Sequence, residues 1–193
     1  LKVAQMLSMD KSMLPTAYQN KFAMSQYSAP PLSYPLVVKT FRKYFGKNPE
    51  DIFETFTRSA VNAASIGQVH KATLDGKEFA VKIQYPGVRE SIKSDLKMVR
   101  PIAAAIFKIN TNEMEQDIGE VEGKLYEETD YLLELERSVD IPSKCAGIPN
   151  LEFPSYYKDL SAERILVMDW MEGKHLREWL KTDPSQEERD RLG

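Results

Sequence analysis

The sequence predicts an α+β fold in which a small antiparallel sheet is kept apart from helices that precede and follow it. Two observations carry the expectation. VNAASIGQVHKATL and EFAVKIQY flank Asp75-Gly76, a residue pair suited to the tight reversal between antiparallel strands. On either side, apolar residues recur at helical spacing, through Val37, Val38, Phe41, Tyr44 and Phe45 before the hairpin and Val88, Ile92, Leu96 and Val99 after it.

The elements follow in order. Tyr18 and Phe22, four apart, mark a front helix that the prolines of PPLSYP interrupt. Ser33 stands where a helix cap belongs and Gly46 where a helix stops. Asn48-Pro49 opens a short helix carrying Ile52, Phe53 and Phe56. After the hairpin comes a helix through Val99, with Pro101 as a break or kink, and then a long amphipathic helix from about 114 to 136 with Ile118, Val121, Leu125 and Leu132 on its apolar line. Residues 145–158 read as loop, ERILVMDWMEG (163–173) as a strand running into Gly173, and HLREWL as the next helix. This is the small-lobe layout of a protein-kinase-like fold, behind a helical extension. The divisions expected are 1–58 for the extension, 59–172 for the lobe with its inserted helices, and 173–193 for the hinge and the start of a second lobe.

Bulk composition narrows the function classes. The chain has 193 residues, enough to bury a core, and 42% hydrophobic with 28% charged residues is ordinary for a globular protein. A net charge of −3 and dispersed Lys and Arg give no footprint for nucleic acid. Cys145 stands alone and His70 and His175 lack ligand-spaced companions, so neither a disulfide framework nor a metal site is expected. No run reaches the ~20 apolar residues that span a bilayer. The chain starts at Leu1 and ends in SQEERDRLG, which reads as the opening of a helix; the expectation is a segment of something longer.

Lys82 raises the functional question. Phe79, Val81 and Ile83 alternate with Ala80, Lys82 and Gln84, which puts an ammonium on the mixed face of a strand. A solvated strand lysine is one reading. The other is chemical: a strand-borne cation that holds the α- and β-phosphates of a nucleotide, fixed by a carboxylate on a neighbouring helix. At about 100° per residue, Asp130 and Glu134 share one face of a helix running through them, while Glu128 is turned about 120° from Glu134. One helix is thereby expected to serve two cations. An exposed acidic helix face remains the other reading for Glu120, Glu122 and Glu127.

NAASIGQVHKA followed by AVKIQYPGV resembles the UbiB-like (aarF-domain, ADCK) atypical kinase family, whose alanine-rich loop replaces the glycine loop of protein kinases. Three further blocks occur in the family's order. KVAQMLS (2–8) is similar to its K-x-G-Q signature, with Ala4 in place of Gly; EETDYLLE (127–134) is similar to its E-x-D motif; ILVMDWMEG is similar to its last small-lobe strand and hinge, with Asp169 where Glu is more usual.

The resemblance implies ATP as ligand with Mg²⁺ as its metal. Lys82 would meet the phosphates, Glu134 would hold Lys82, and Ala63, Ala64 and Ser65 would form the nucleotide loop beside Asn62. Asp169, Trp170 and Met171 would offer hinge backbone to the adenine. Lys2 and Gln5 would lie on an extension across the site, near Glu128 and Asp130, blocking the groove a protein substrate uses. That implies ATP hydrolysis or a small-molecule acceptor, a link to ubiquinone-type isoprenoid quinone biosynthesis, quinone-pathway proteins or membrane lipid as partners, and a cytoplasmic location with membrane association in the whole protein. No H-R-D or D-F-G segment occurs, so catalytic and metal-binding residues are expected after Gly193 and none within the chain. A pseudokinase scaffold binding a partner or lipid is the alternative, with Ala4 and Asn62 in its favour. An aminoglycoside-type phosphotransferase shares the lobe but leaves KVAQ and the alanine loop unexplained.

Overall fold

The computed structural model describes residues 31–64, 66–107 and 111–191. Lys2, Gln5, Tyr18, Phe22 and Ser65 lie outside the described residues. Helix α1 (Tyr34–Phe45) follows Ser33, has Pro35 in its first turn, and ends on Gly46 at φ 68°, where the left-handed backbone lets its N–H bond back to Arg42 O. Val37 and Phe41, one turn apart, form its buried face.

The Asn48-Pro49 start is present, but it opens a single 3-10 turn (Pro49–Asp51) rather than a helix reaching Phe56. The Asn48 and Asp51 side chains cap each other's backbone and close the turn early. The chain then extends into β1 (Thr55–Phe56) and, after an irregular stretch, β2 (Asn62–Ala63). Both pair with one edge of β3 (Gly67–Leu74), so the sheet begins ahead of residue 59. Asp75 and Gly76, at φ 50° and 72°, reverse the chain into β4 (Lys77–Gln84) with Leu74 opposite Lys77. β5 (Ile165–Asp169) pairs with the other edge of β4, giving the antiparallel order β1-β3-β4-β5 with β2 also on β3.

Helix α2 (Val88–Phe107) runs through Pro101 without ending there. The long helix expected over 114–136 is two, α3 (Thr111–Glu128) and α4 (Tyr131–Lys144). Asp130 causes the division: its backbone is extended and its side chain accepts a 3.0 Å hydrogen bond from Leu133 N, which is how an Asp begins a helix. Short helices α5 (Leu176–Leu180) and α6 (Gln186–Asp190) close the described chain.

Strand alternation divides the core. Phe79, Val81, Ile83, Ala72, Ile165 and Val167 point to one face, where Val37 and Phe41 of α1 and Phe53 cover them. Leu166 and Ile66 meet Tyr131 and Leu135 of α4 in a second cluster on the opposite face. The sheet is therefore clad on both sides, which explains why β4 and β5 are so apolar.

His70 lies fully buried on the α1 face, stacked against Phe56 with ring centres 4.9 Å apart. Its Nδ1 lies 2.6 Å from the carbonyl oxygen of Thr57, and its Nε2 lies 2.8 Å from the Gln68 side-chain amide nitrogen. A carbonyl only accepts and an amide NH₂ only donates, so the ring is neutral with its proton on Nδ1. Burial lowers its pKa from 6.5, against the raising effect of the Thr57 bond. An unfolded chain thus takes up a proton near pH 6.5 that the folded chain refuses. The resulting stability is complete above that pH and is lost as pH falls from 6.5 toward the folded value. Urea unfolding followed from about pH 7.5 to 5 should show the midpoint dropping with acid, and His70→Gln should flatten that slope; equal slopes would rule His70 out as its source.

Candidate functional site

Lys82 sits in the middle of the central strand, opposite Val69 of β3 on one side and Leu166 of β5 on the other. It points away from the α1 core, toward α4. Its ammonium donates to both carboxylate oxygens of Glu134, at 2.8 and 2.9 Å. It also lies 4.7 Å from the centre of the Tyr131 ring. The two ionic side chains keep 19% and 34% of their surface, so the pair is lodged against protein on one side and open to water on the other. A groove of about 310 Å³ begins there, with Lys124, Leu133, Arg137 and Ile141 among its walls.

Several bonds fix the start of α4. Thr129, at the junction with α3, is buried; its carbonyl accepts from Gln84 Nε2 at 2.9 Å and its hydroxyl accepts from Arg89 at 3.0 Å. Gln84 is two residues from Lys82 on β4 and on the same face, so the strand carrying the cation also grips the root of the helix carrying the anion. Burial, reinforced by the carboxylates of Glu134 and Glu128, pushes the Tyr131 phenol far above its ordinary range, and the ring stays neutral.

The break at Asp130 corrects the one-helix geometry. Glu128 is the last residue of α3 and Glu134 is in the first turn of α4, so their division comes from two helices rather than from two faces of one. Asp130 shares no helix face with Glu134; it is the cap, with Oδ1 committed to Leu133.

Ala63 ends β2 and Ala64 lies in the turn to β3, its N–H bonded to Gly67 O at 2.9 Å. That turn adjoins the first rung of the β3–β4 pair, Gly67 opposite Gln84, at the end of the sheet nearest Lys82. Asp169, Trp170 and Met171 lie at the other end. Asp169 faces Phe79, three rungs from the Lys82–Leu166 rung and about 10 Å along the strand. The Asp169 carboxylate accepts from Tyr157 Oη at 2.5 Å and from Ser155 N at 2.9 Å. Against the upward push of desolvation, those hydrogen bonds hold its carboxyl below the usual range. The N–H of Asp169 donates to Ser155 O and that of Trp170 to Glu78 O. Trp170 is further pinned by Lys71, whose ammonium lies 4.8 Å from the ring centre, and by an indole bond to Glu172.

Three residues that the sequence reading left out line the same side of the sheet. Val69 and Ala80 are half-buried and share the Lys82 face, Val69 on the same rung as Lys82 and Ala80 between Lys82 and the Trp170 end. The pairing that follows from the Asp75-Gly76 turn was enough to find them. Tyr131 is the third, three residues before Glu134 on α4 and so its neighbour on the helix surface. Among the described residues no group of three or more His, Cys, Asp or Glu is placed to hold a metal ion. None of the described helices is long and apolar enough to cross a membrane.

Comparison with known proteins matches this arrangement to one family. The family described as the ABC1 atypical kinase-like domain matches residues 24–193. The chain is 32% identical over 182 residues to an uncharacterized chloroplastic aarF domain-containing protein kinase of Arabidopsis thaliana, covering 92% of this chain and 26% of that protein. It is 32% identical over 204 residues to the probable serine/threonine-protein kinase abkA of Dictyostelium discoideum, covering 98% and 36%. A solved structure of Rv3197 of Mycobacterium tuberculosis, described as a complex with erythromycin, superposes with a TM-score of 0.66 at 28% identity, over 96% of this chain and 48% of that one. The chain thus spans about a quarter to a third of the length of these curated relatives. The α+β architecture, the sheet clad by helices and the match over most of its length agree: this chain belongs to the ABC1 (aarF-domain) atypical kinase-like family.

Proposed function

We propose that this chain forms the ATP-binding part of an atypical kinase-like protein, with Lys82 meeting the α- and β-phosphates and Glu134 holding Lys82 in place. The two-oxygen contact of Glu134 with Lys82 carries the reading. A solvated strand lysine has no need of a carboxylate delivered from a separately capped helix, whereas phosphate binding does. Half-buried Val69 and Ala80 offer an apolar ceiling to a base, and about 10 Å separates Lys82 from the β5 exit. At that exit the N–H groups of Asp169 and Trp170 are already engaged, so the adenine would use the Met171 N–H and neighbouring carbonyls.

Mg-ATP, when bound, would supply the phosphoryl group and a metal charge to offset its phosphates. This chain's residues orient it. Lys82 neutralises phosphate charge, and the alanine turn at Ala63 and Ala64 brings backbone close without a glycine loop. Lys2, Gln5 and Ser65 enter through family resemblance. Hydrolysis of ATP or transfer to a small acceptor, isoprenoid quinone metabolism, and partners at a membrane belong to the whole protein on the same footing. A pseudokinase scaffold gives the Lys82–Glu134 pair no task.

Thermal unfolding of the full-length protein with increasing Mg-ATP tests the proposal. Melting should rise with ligand concentration as binding to the folded state requires. A folded protein whose melting and calorimetric titration both ignore millimolar Mg-ATP would overturn it.

A further inference from the structure

Lys82 has two neighbours on α4, and only one of them is an anion. Tyr131 and Glu134 are three residues apart and therefore adjacent on the helix surface, so a single turn presents an aromatic face and a carboxylate to one ammonium. The ring centre lies 4.7 Å from Nζ, inside the range in which a cation is drawn to a ring face. The two contacts differ in rigidity. Glu134 is one-third exposed and reaches Lys82 through a flexible side chain. Tyr131 is completely buried among Ile66, Leu135 and Leu166. Its hydroxyl finds no hydrogen-bond partner among the described residues, so the oxygen does not explain why a tyrosine-sized ring stands there. What the buried ring does offer is a fixed negative face beneath a cation whose other sides meet the carboxylate and solvent.

We propose that Tyr131 is a positioning residue for the nucleotide: its ring face, not its hydroxyl, holds the Lys82 ammonium in line for the phosphates when Glu134 shifts to share the cation with them. The proposal rests on the nucleotide reading above. An ammonium held only by a mobile carboxylate must be re-ordered for each nucleotide, and a rigid ring removes part of that cost. The phosphates alone feel the effect; the base does not.

The test compares Mg-ATP with adenosine, which lacks phosphates, by calorimetric titration of the full-length protein. Tyr131→Phe should bind both as the wild type does. Tyr131→Met should bind Mg-ATP about 3- to 30-fold more weakly with adenosine affinity unchanged. If the Met variant fails to fold, pentafluorophenylalanine installed at position 131 keeps the ring's shape while reversing its charge distribution, and should give the same selective loss. Equal losses for Mg-ATP and adenosine would make Tyr131 merely structural. A loss in Tyr131→Phe would move the role to the hydroxyl, and unchanged Mg-ATP affinity in the fluorinated protein would end the proposal. Failure of the nucleotide reading itself looks different: wild-type protein that binds no Mg-ATP, or Lys82→Ala that binds it normally, removes both together.

Discussion

Lys82→Ala in the full-length protein is expected to weaken Mg-ATP binding by about 10- to 150-fold, the worth of a charge-assisted hydrogen bond to phosphate. The fold should survive. Lys82 and Glu134 are both partly exposed, so removing one leaves the other able to find water, and the pair should contribute no more than about 1 kcal/mol to folding. Glu134→Gln should fall between wild type and Lys82→Ala, because a neutral amide still accepts one bond from the ammonium but no longer balances its charge. Lys82→Arg should not restore binding, since a planar fork cannot occupy the tetrahedral donor position between a carboxylate and a ring. Adenosine affinity should stay constant throughout. If Lys82→Ala binds Mg-ATP like the wild type, the phosphate role is wrong whatever the family does.

Gly67→Ala is expected to cause the largest loss of stability of any single methyl addition in the sheet. A Cβ built on Gly67 falls 2.2 Å from Ile83 O and 3.0 Å from Ile83 C, both backbone atoms of the strand that carries Lys82. Neither can swing aside as a side-chain tip does. Relief requires the first rung of the β3–β4 pair to part, and the turn that begins at Ala64 to move with it. Overpacking costs about 1–3 kcal/mol, and the upper end is expected where both clashing atoms are backbone. Urea unfolding should show a lower midpoint at similar slope, and amide exchange should quicken at Gln84 and Tyr85, whose N–H groups bond to Arg164 O and Ile66 O. Wild-type stability in this variant would mean that the rung is looser than its geometry states. By contrast, alanine at Gly119 or Gly123 of α3 meets nothing within 4 Å.

The hairpin was legible because its information is local. Asp75-Gly76 sets the register, and the register alone places Lys82 beside Val69. Gly46 was equally legible as a helix stop. What the sequence concealed was the competition between local and distant bonds. TDYLLE is compatible with an unbroken helix, in which Leu133 N would bond to Thr129 O; the break at Asp130 wins because Leu133 N goes to the Asp130 side chain and the Thr129 carbonyl to Gln84, 45 residues away. Phe56 shows the same conflict. Its spacing from Phe53 reads as helical, yet β3 offers its edge, and Thr55 and Phe56 take it. Lys82 and Glu134 lie 52 residues apart, so nothing local pairs them and only the resemblance does; their side chains are in contact. Tyr131 was invisible because an aromatic residue at a helix start ordinarily reads as core, which it also is.

Because α4 begins afresh beside the sheet, a rigid tilt of the helix about its first residue would act as a lever. The 14 residues of α4 extend about 21 Å, and Glu134 lies only about 4.5 Å from the pivot. A 5 Å swing imposed at Lys144 thus reaches Glu134 as roughly 1 Å, enough to stretch a 2.8 Å contact beyond hydrogen-bonding range but not to expel the side chain. A distant push on this rod arrives at the ammonium geared down about fivefold, as a fine adjustment.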